Sequence, residues 1–192
     1  MRNHNPDLID ALDQLMFQAP LLIPLGNVAD PNECLALVAE ACARSGIREK
    51  SANDGPWIKL FQQTVGDAAQ EPWCLAFLQS LIAYVEELKG VTSPLPATEH
   101  CGDFWNRAKN YHTAPMGARG DIIVWSLLGT AQGHCGLITK ASSLLYETVE
   151  GNTTSGGAAI VREGDGIYAR KRAKGGSKTF AERGILRAFW TA

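Results

Sequence analysis

Apolar residues repeat every three to four positions through the first half of the chain, which is the spacing of one face of an α-helix. This pattern predicts helices at 6–17, at about 31–44 and at 71–90, and shorter ones at 57–64 and 102–110. Asp30 and Gly46 are the residue types expected at a helix N-cap and just past a helix end. The segment 71–90 is apolar nearly all the way round, so we expect a buried helix there.

After Gly120 the pattern changes to short runs that favour β-strands, separated by glycine or by polar turns. The runs cover 121–128, 134–141, 143–151, 158–163, 166–172 and 184–190. Helices followed by a meander of strands are typical of an α+β fold. We therefore predict a buried helix packed on a mostly antiparallel sheet of five or six strands. Residues 1–30 are predicted to be an N-terminal helix and connector, and residues 31–192 the main domain.

The composition excludes several classes of protein. The chain has 192 residues, of which 45% are hydrophobic and 20% charged, which is ordinary for a globular protein and unlike a disordered chain. The formal net charge is −2, so the chain lacks the basic excess that is usual in nucleic-acid-binding proteins. No run of about 18 apolar residues occurs, so no membrane insertion is expected. Three aspartates at 7, 10 and 13 interrupt the N-terminus, so we expect synthesis in the cytoplasm without a signal peptide.

The cysteines argue against a disulfide framework and against a zinc finger. There are five of them, an odd number. They lie at positions 34, 42, 74, 101 and 135, and no two have the C-x-x-C spacing of zinc ligands. We therefore expect free thiols and no metal.

One cysteine and one histidine have the surroundings of a nucleophile and its base. Cys74 lies at the predicted start of the buried helix, where unpaired N–H groups and the helix dipole favour a thiolate. His134 lies in the run GHCG, where two glycines leave space around the imidazole. A thiolate nucleophile needs a base, and histidine is the usual one. Each residue also has a purely structural interpretation. Cys74 could be a small buried hydrophobe, and His134 could be a structural histidine.

Two polar residues are candidates to orient the imidazole. Glu150 and Asn152 share one face of the next predicted strand by strand alternation. A hairpin turn near Lys140–Ser143 would place residues close to His134 opposite those close to 149, which makes Glu150 a neighbour of the histidine. The same alternation predicts that Cys135 points away from the site and into the core.

Four short motifs in order carry a family resemblance. PWCLAF (72–77), GDIIVW (120–125), GHCGLI (133–138) and EGN (150–152) together resemble the CHAP amidase/peptidase family, a group of papain-like cell-wall hydrolases. The resemblance covers about residues 35–190 and is strongest to the branch that contains phage and bacterial lysins.

The resemblance implies a papain-like fold and hydrolysis of amide bonds in peptidoglycan, as an endopeptidase or an N-acetylmuramoyl-L-alanine amidase. It implies that Cys74 is the nucleophile, that His134 is the base, and that Glu150 and Asn152 are polar partners, with no cofactor. The expected protein is a monomer of the endolysin type. It reaches the wall or periplasm after release or through another export system.

Further residues are candidates for binding substrate. Trp73 and Trp125 either line the groove and stack on the substrate or pack in the core. The Cys74 backbone N–H is the first candidate donor to an oxyanion, and Gln70 is a second. The basic run at 170–174 either attracts an anionic polymer or is a solvated strand end.

Two other functions compete with wall hydrolysis. A thiol enzyme of the same architecture could act on a different amide, as a deamidase or an isopeptidase. A binding module without catalysis would use Cys74 only for packing. Rapid alkylation of Cys74 at pH 6 separates an activated thiolate from a packed thiol.

Overall fold

The α+β class is confirmed by the computed structural model, which describes residues 2–21, 23–66, 69–110, 117–156, 160 and 163–190. Five helices come first: α1 (Pro6–Gln18), α2 (Pro31–Ser45), α3 (Pro56–Val65), α4 (Cys74–Lys89) and α5 (Cys101–Ala108). A 3₁₀ turn lies at Leu25–Asn27. Five strands follow: β1 (Asp121–Leu127), β2 (Gly133–Ala141), β3 (Leu145–Thr153), β4 (Gly166–Ala173) and β5 (Phe180–Arg187).

The strands form one antiparallel sheet in the order β4-β3-β2-β1-β5. The predicted strand at 158–163 falls mostly outside the described residues, and neither Ile160 nor Glu163 is in a strand. The predicted hairpin turn is wrong by two residues, because the β2–β3 turn closes with a Ser142 N–H bond to the Leu145 carbonyl, 2.9 Å.

The helix boundaries follow local signals in the sequence. Asp30 caps α2 by accepting a hydrogen bond of 2.9 Å from the Asn32 N–H. Gly46 ends the same helix with φ 75°, and Gly90 ends α4 with φ 62°. This left-handed conformation carries little strain for glycine, so each helix stops where the prediction placed its end.

The helix α4 is the centre of the main core. Most of its length is buried between the other helices and the sheet, which confirms the prediction of a buried helix. The sheet face toward α4 carries Cys135, Leu137 and Val149, which belong to the same apolar cluster. The opposite face carries a second cluster that includes Trp125 and Ile138. The polar side chains of the candidate site belong to this second face.

The N-terminal helix α1 packs on the same core as the rest of the chain. Its buried residues Leu8, Leu12 and Met16 belong to the main apolar cluster. The Tyr84 hydroxyl of α4 donates a 2.7 Å hydrogen bond to Asp13 in α1. The helix α1 is therefore part of the core of this chain. Separately, no helix in the described ranges is long and apolar enough to cross a membrane.

Candidate active site

Cys74 is the first residue of α4, and no side chain caps this end of the helix. The N-cap residue is Trp73, whose indole N–H donates a 2.6 Å hydrogen bond to Glu49. Gly151, near the end of β3, lies directly against this region, since a Cβ there would be 2.9 Å from atoms of both Trp73 and Phe77. The tip of α4 is thus held against the end of β3, with free backbone N–H groups beside the thiol.

His134 is held from two sides in β2. Its ring stacks on Trp125, the residue opposite it in β1, with ring centroids 5.9 Å apart. Its Nε2 bonds to Oε2 of Glu150 at 2.9 Å. Gly136 makes this contact possible, because a Cβ there would be only 2.7 Å from Cγ of Glu150. Gly136, two residues after the histidine, therefore makes room for the carboxylate that orients the imidazole.

Glu150 lies at the centre of a buried polar network. Its carboxylate accepts hydrogen bonds from Thr148 Oγ1 at 2.6 Å and from Arg172 Nε and Nη2 at 2.8 and 2.6 Å. Burial acts to raise the pKa of Glu150, but the hydrogen bonds and charges of Arg172 and His134 outweigh it and lower the pKa to about 2. The carboxylate is therefore ionised at neutral pH and fixes the orientation of the imidazole.

The Cys74 thiol and the imidazole shift each other's ionisation. The pKa of Cys74 lies well below its usual value, chiefly because Cys101 and Cys135 offer hydrogen bonds to its sulfur, and His134 adds to this. Burial acts to lower the pKa of His134, but the hydrogen bond to Glu150 and the nearby charges of Cys74 and Glu150 outweigh it and raise the pKa to about 9. Both shifts favour the thiolate form of Cys74 and the imidazolium form of His134.

The free ring nitrogen of His134 makes no regular hydrogen bond in this structure. Nε2 is bound to Glu150, and Nδ1 is buried without a partner. The hydrogen bond between the Cys74 thiol and the His134 ring that the sequence predicts is thus not formed, although the two groups are close enough to shift each other's pKa. Hydrogen bonds in active sites are often long or poorly aligned before substrate binds and tighten in the complex.

Two more thiols lie beside Cys74. The Sγ atoms of Cys74 and Cys101 are 3.8 Å apart, and those of Cys74, Cys101 and Cys135 all lie within 4.8 Å of one another. The prediction that Cys135 points away from the site is wrong. The Cys135 side chain lies on the opposite face of the sheet from His134, as alternation requires. That face packs against α4, so the Cys135 sulfur comes close to Cys74. Gly133 permits the approach of α5, since a Cβ there would be 2.9 Å from Cβ of Cys101.

A pocket of about 580 Å³ opens beside the thiols. Cys74 and Cys101 line it, and each is 6% exposed. Three acidic side chains and one basic side chain also line it: Glu71, Glu99, Asp103 and Arg183. The pocket therefore gives a solute access to a sulfur that is otherwise buried.

The other predicted site residues take different positions. Trp73 and Trp125 are fully buried and do not line the pocket, so the core-packing alternative is the observed one. Gln70 is exposed, with φ 70°, and does not line the pocket. Asn152 accepts a 3.0 Å hydrogen bond from the Gly164 N–H, so Glu150, and not Asn152, orients the imidazole.

Arg172 is the functional residue that the sequence reasoning missed. The basic run at 170–174 was expected to be solvated or to attract a polymer, yet Arg172 is 1% exposed and Arg170 is 7% exposed. Arg172 lies opposite Tyr146 in the sheet, on the face that also carries Glu150. Strand alternation across β3 and β4 was the signal that could have revealed it.

Comparison of the chain with protein-family models, with curated proteins and with solved structures finds no match. The CHAP resemblance therefore stays a prediction that four short motifs carry. The α+β class has independent support in the order of the elements and in the antiparallel sheet.

The ionisation of the site predicts how its reactivity changes with pH. We expect iodoacetamide to label Cys74 faster than an ordinary cysteine at pH 6, because the pKa of Cys74 is lowered well below its usual value. Any catalytic activity that uses His134 as a general acid should fall as the pH rises through about 9, because the imidazolium then loses its proton. Peptide mass spectrometry after timed alkylation measures the first effect, and an activity profile measures the second.

Cys42 is the internal control for this measurement. Burial raises its pKa to about 12, and it lies in α2, outside the thiol cluster. It should stay unlabelled in the folded protein at pH 6. Equal labelling of Cys74 and Cys42 would show that Cys74 is a packed thiol and not an activated one.

Proposed function

We propose that this protein is a cysteine-dependent hydrolase that cleaves amide bonds in peptidoglycan, as an endopeptidase or an N-acetylmuramoyl-L-alanine amidase. The observation that carries the proposal is the position of Cys74, at an uncapped helix start and on the pocket wall, close to an imidazole that Glu150 orients. Nucleophile, base and orienting group are the three parts that acyl transfer by a thiol requires.

The proposed cycle has two halves. The Cys74 thiolate attacks the carbonyl carbon of the amide, the C–N bond breaks, and the His134 imidazolium gives its proton to the leaving amine. A water molecule then attacks the thioester while His134 takes a proton from it. The carboxylic acid product leaves and Cys74 returns to the thiolate.

The helix start also supplies a donor for the oxyanion. The Cys74 backbone N–H belongs to the first turn of α4, where no side chain occupies it. Loss of one such donor costs about 10²–10³ in rate in comparable enzymes. Gln70 has no such part in the cycle, because its side chain faces solvent and does not line the pocket.

Arg172 acts on the chemistry through Glu150. The two-pronged ion pair keeps the carboxylate charged and immobile, and the carboxylate holds Nε2 of His134. Nδ1 is then the nitrogen that is left for proton transfer with Cys74. Arg172 is therefore a positioning residue, since it touches neither the sulfur nor the pocket.

The substrate class comes from the CHAP resemblance, and the pocket beside Cys74 is consistent with it because it is open to solvent and large enough for a short peptide segment. Action on the wall requires that the protein leave the cytoplasm through lysis or through a separate export system. The expected working form is a monomer.

Mass analysis of peptidoglycan fragments tests the proposal. Purified protein should release fragments that carry a new amine and a new carboxylate, and their masses identify the bond that is cut. The blank is the same protein after complete alkylation of Cys74. Conversion of a side-chain amide to an acid without chain cleavage would instead indicate a deamidase. No change in purified wall material would contradict wall hydrolysis.

A further inference from the structure

Three cysteines that are distant in sequence converge at one point of the fold. Cys74 begins α4, Cys101 begins α5, and Cys135 lies in β2. Their sulfur atoms all lie within 4.8 Å of one another, and they form the only group of potential metal ligands of this kind among the residues that the structure describes. The sequence shows no zinc-ligand spacing, because the three residues meet only through tertiary packing.

The spacing of the sulfurs suits a tetrahedral thiophilic ion. Zinc binds thiolate at about 2.3 Å, so two sulfurs of a tetrahedral site lie about 3.8 Å apart. Cys74 and Cys101 have this separation, 3.8 Å. The longest separation in the cluster, at most 4.8 Å, requires a shift of about 1 Å to reach the tetrahedral distance.

The site is also accessible and chemically selective. Cys74 and Cys101 line the pocket, so an ion can enter there and a water molecule has room as a fourth ligand. Three protein ligands and one open position are a common zinc arrangement. Three soft thiolates favour Zn²⁺ over Ca²⁺ or Mg²⁺.

We propose that Cys74, Cys101 and Cys135 form a site for one thiophilic divalent cation, with its fourth position facing the pocket. Each thiol that binds the ion releases its proton to solvent, and no atom changes oxidation state. The site does not depend on what the protein hydrolyses. One consequence does rest on the proposed function: a bound ion occupies the Cys74 sulfur and so blocks attack on an amide reversibly.

The first test titrates the full chain with Zn²⁺ in a non-thiol reductant, against a coloured chelator that reports free metal. We expect one equivalent to bind, and Co²⁺ in its place to show the charge-transfer absorption of thiolate ligands. Loss of an outer-shell partner of a metal site costs about 10–100-fold in affinity, so Cys101→Ala and Cys135→Ala should each lose about 100-fold or more. The matched control is Cys42→Ala, which removes a buried thiol outside the cluster and should bind as the wild type does.

A second test needs no variant, so it stands even if a substitution impairs folding. Saturating Zn²⁺ should slow alkylation of Cys74 and Cys101 in the wild-type protein, and a chelator should restore it. The proposal is overturned by the absence of saturable binding, by unchanged affinity in both cluster variants, or by alkylation that Zn²⁺ does not slow. If the protein binds zinc but leaves peptidoglycan intact after a chelator has removed the metal, the proposed function is overturned and this site stands.

Discussion

Cys74→Ala should abolish cleavage of peptidoglycan and leave the fold intact. Loss of the nucleophile costs about 10⁶-fold in kcat in a well-studied serine hydrolase, and the same order is expected here because Cys74 forms the acyl-enzyme in the proposed cycle. The side chain is small and borders the pocket, so the loss of unfolding free energy should be only about 1 kcal/mol. The rate of fragment release measures the first effect and urea denaturation the second.

Cys42→Ala is the matched control for this experiment. It removes the same atoms from a buried position in α2, outside the site, so it should lose some stability and keep full activity. Wall cleavage by Cys74→Ala at the wild-type rate would show that the helix start is not the reacting centre.

Arg172→Met should lower the free energy of unfolding by about 3–5 kcal/mol, because it leaves the Glu150 carboxylate charged and buried without its main partner. Arg172 donates to both oxygens of that carboxylate, and both side chains are shielded from solvent, with exposures of 1% and 0%. Urea denaturation at pH 7 measures the change. Catalysis should fall as well, since the carboxylate no longer holds His134 in one orientation.

The neighbouring substitution Lys171→Met provides the control. The Lys171 side chain is 73% exposed and points to the other face of β4, so its replacement should change stability by less than about 0.5 kcal/mol. Equal losses for both variants would mean that the buried ion pair is not the source of the effect.

Acidification should narrow the difference between wild type and Arg172→Met. The pKa of Glu150 is lowered from 4.5 to about 2 in the folded protein, so its contribution to stability is complete above pH 4.5 and is lost as the pH falls toward 2. In the variant, loss of Arg172 raises the pKa of Glu150, so the unpaired carboxylate takes up a proton at a higher pH and the penalty shrinks on acidification. Denaturation curves at pH 7 and pH 3 measure this, and a gap that stays constant would contradict it.

The helices were predictable because their signals are local. The caps at Asp30 and Gly46 act within one turn of the helix, and the apolar surface of α4 indicates burial without reference to any partner. Five of the six predicted strand runs were found for the same reason, since alternation and turns are local properties. The order of the strands in the sheet was not predicted. The turn between β2 and β3 was misplaced because several polar residues there suit a turn equally well.

The active-site chemistry was only partly predictable. Cys74, His134 and Glu150 were selected from residue type, position in their elements and motif order. The choice between Glu150 and Asn152 was not, because strand alternation places both on one face. Only the folded structure shows that Glu150 reaches the imidazole and that Asn152 bonds to Gly164 instead. The burial of Arg172 was not predicted because a basic run is usually solvated. The Glu150 carboxylate on the neighbouring strand β3 is the partner that allows this arginine to be buried.

The sequence by itself determined the α+β class, the buried helix that starts at Cys74, and the residue types available for acyl transfer. The tertiary structure decided the partners: Arg172 against Glu150, and Cys101 and Cys135 against Cys74. The physical reason is the separation along the chain over which each kind of interaction acts. Caps, periodicity and turns act over a few residues, whereas ion pairs and thiol contacts join residues that are far apart in the chain and depend on how the layers pack.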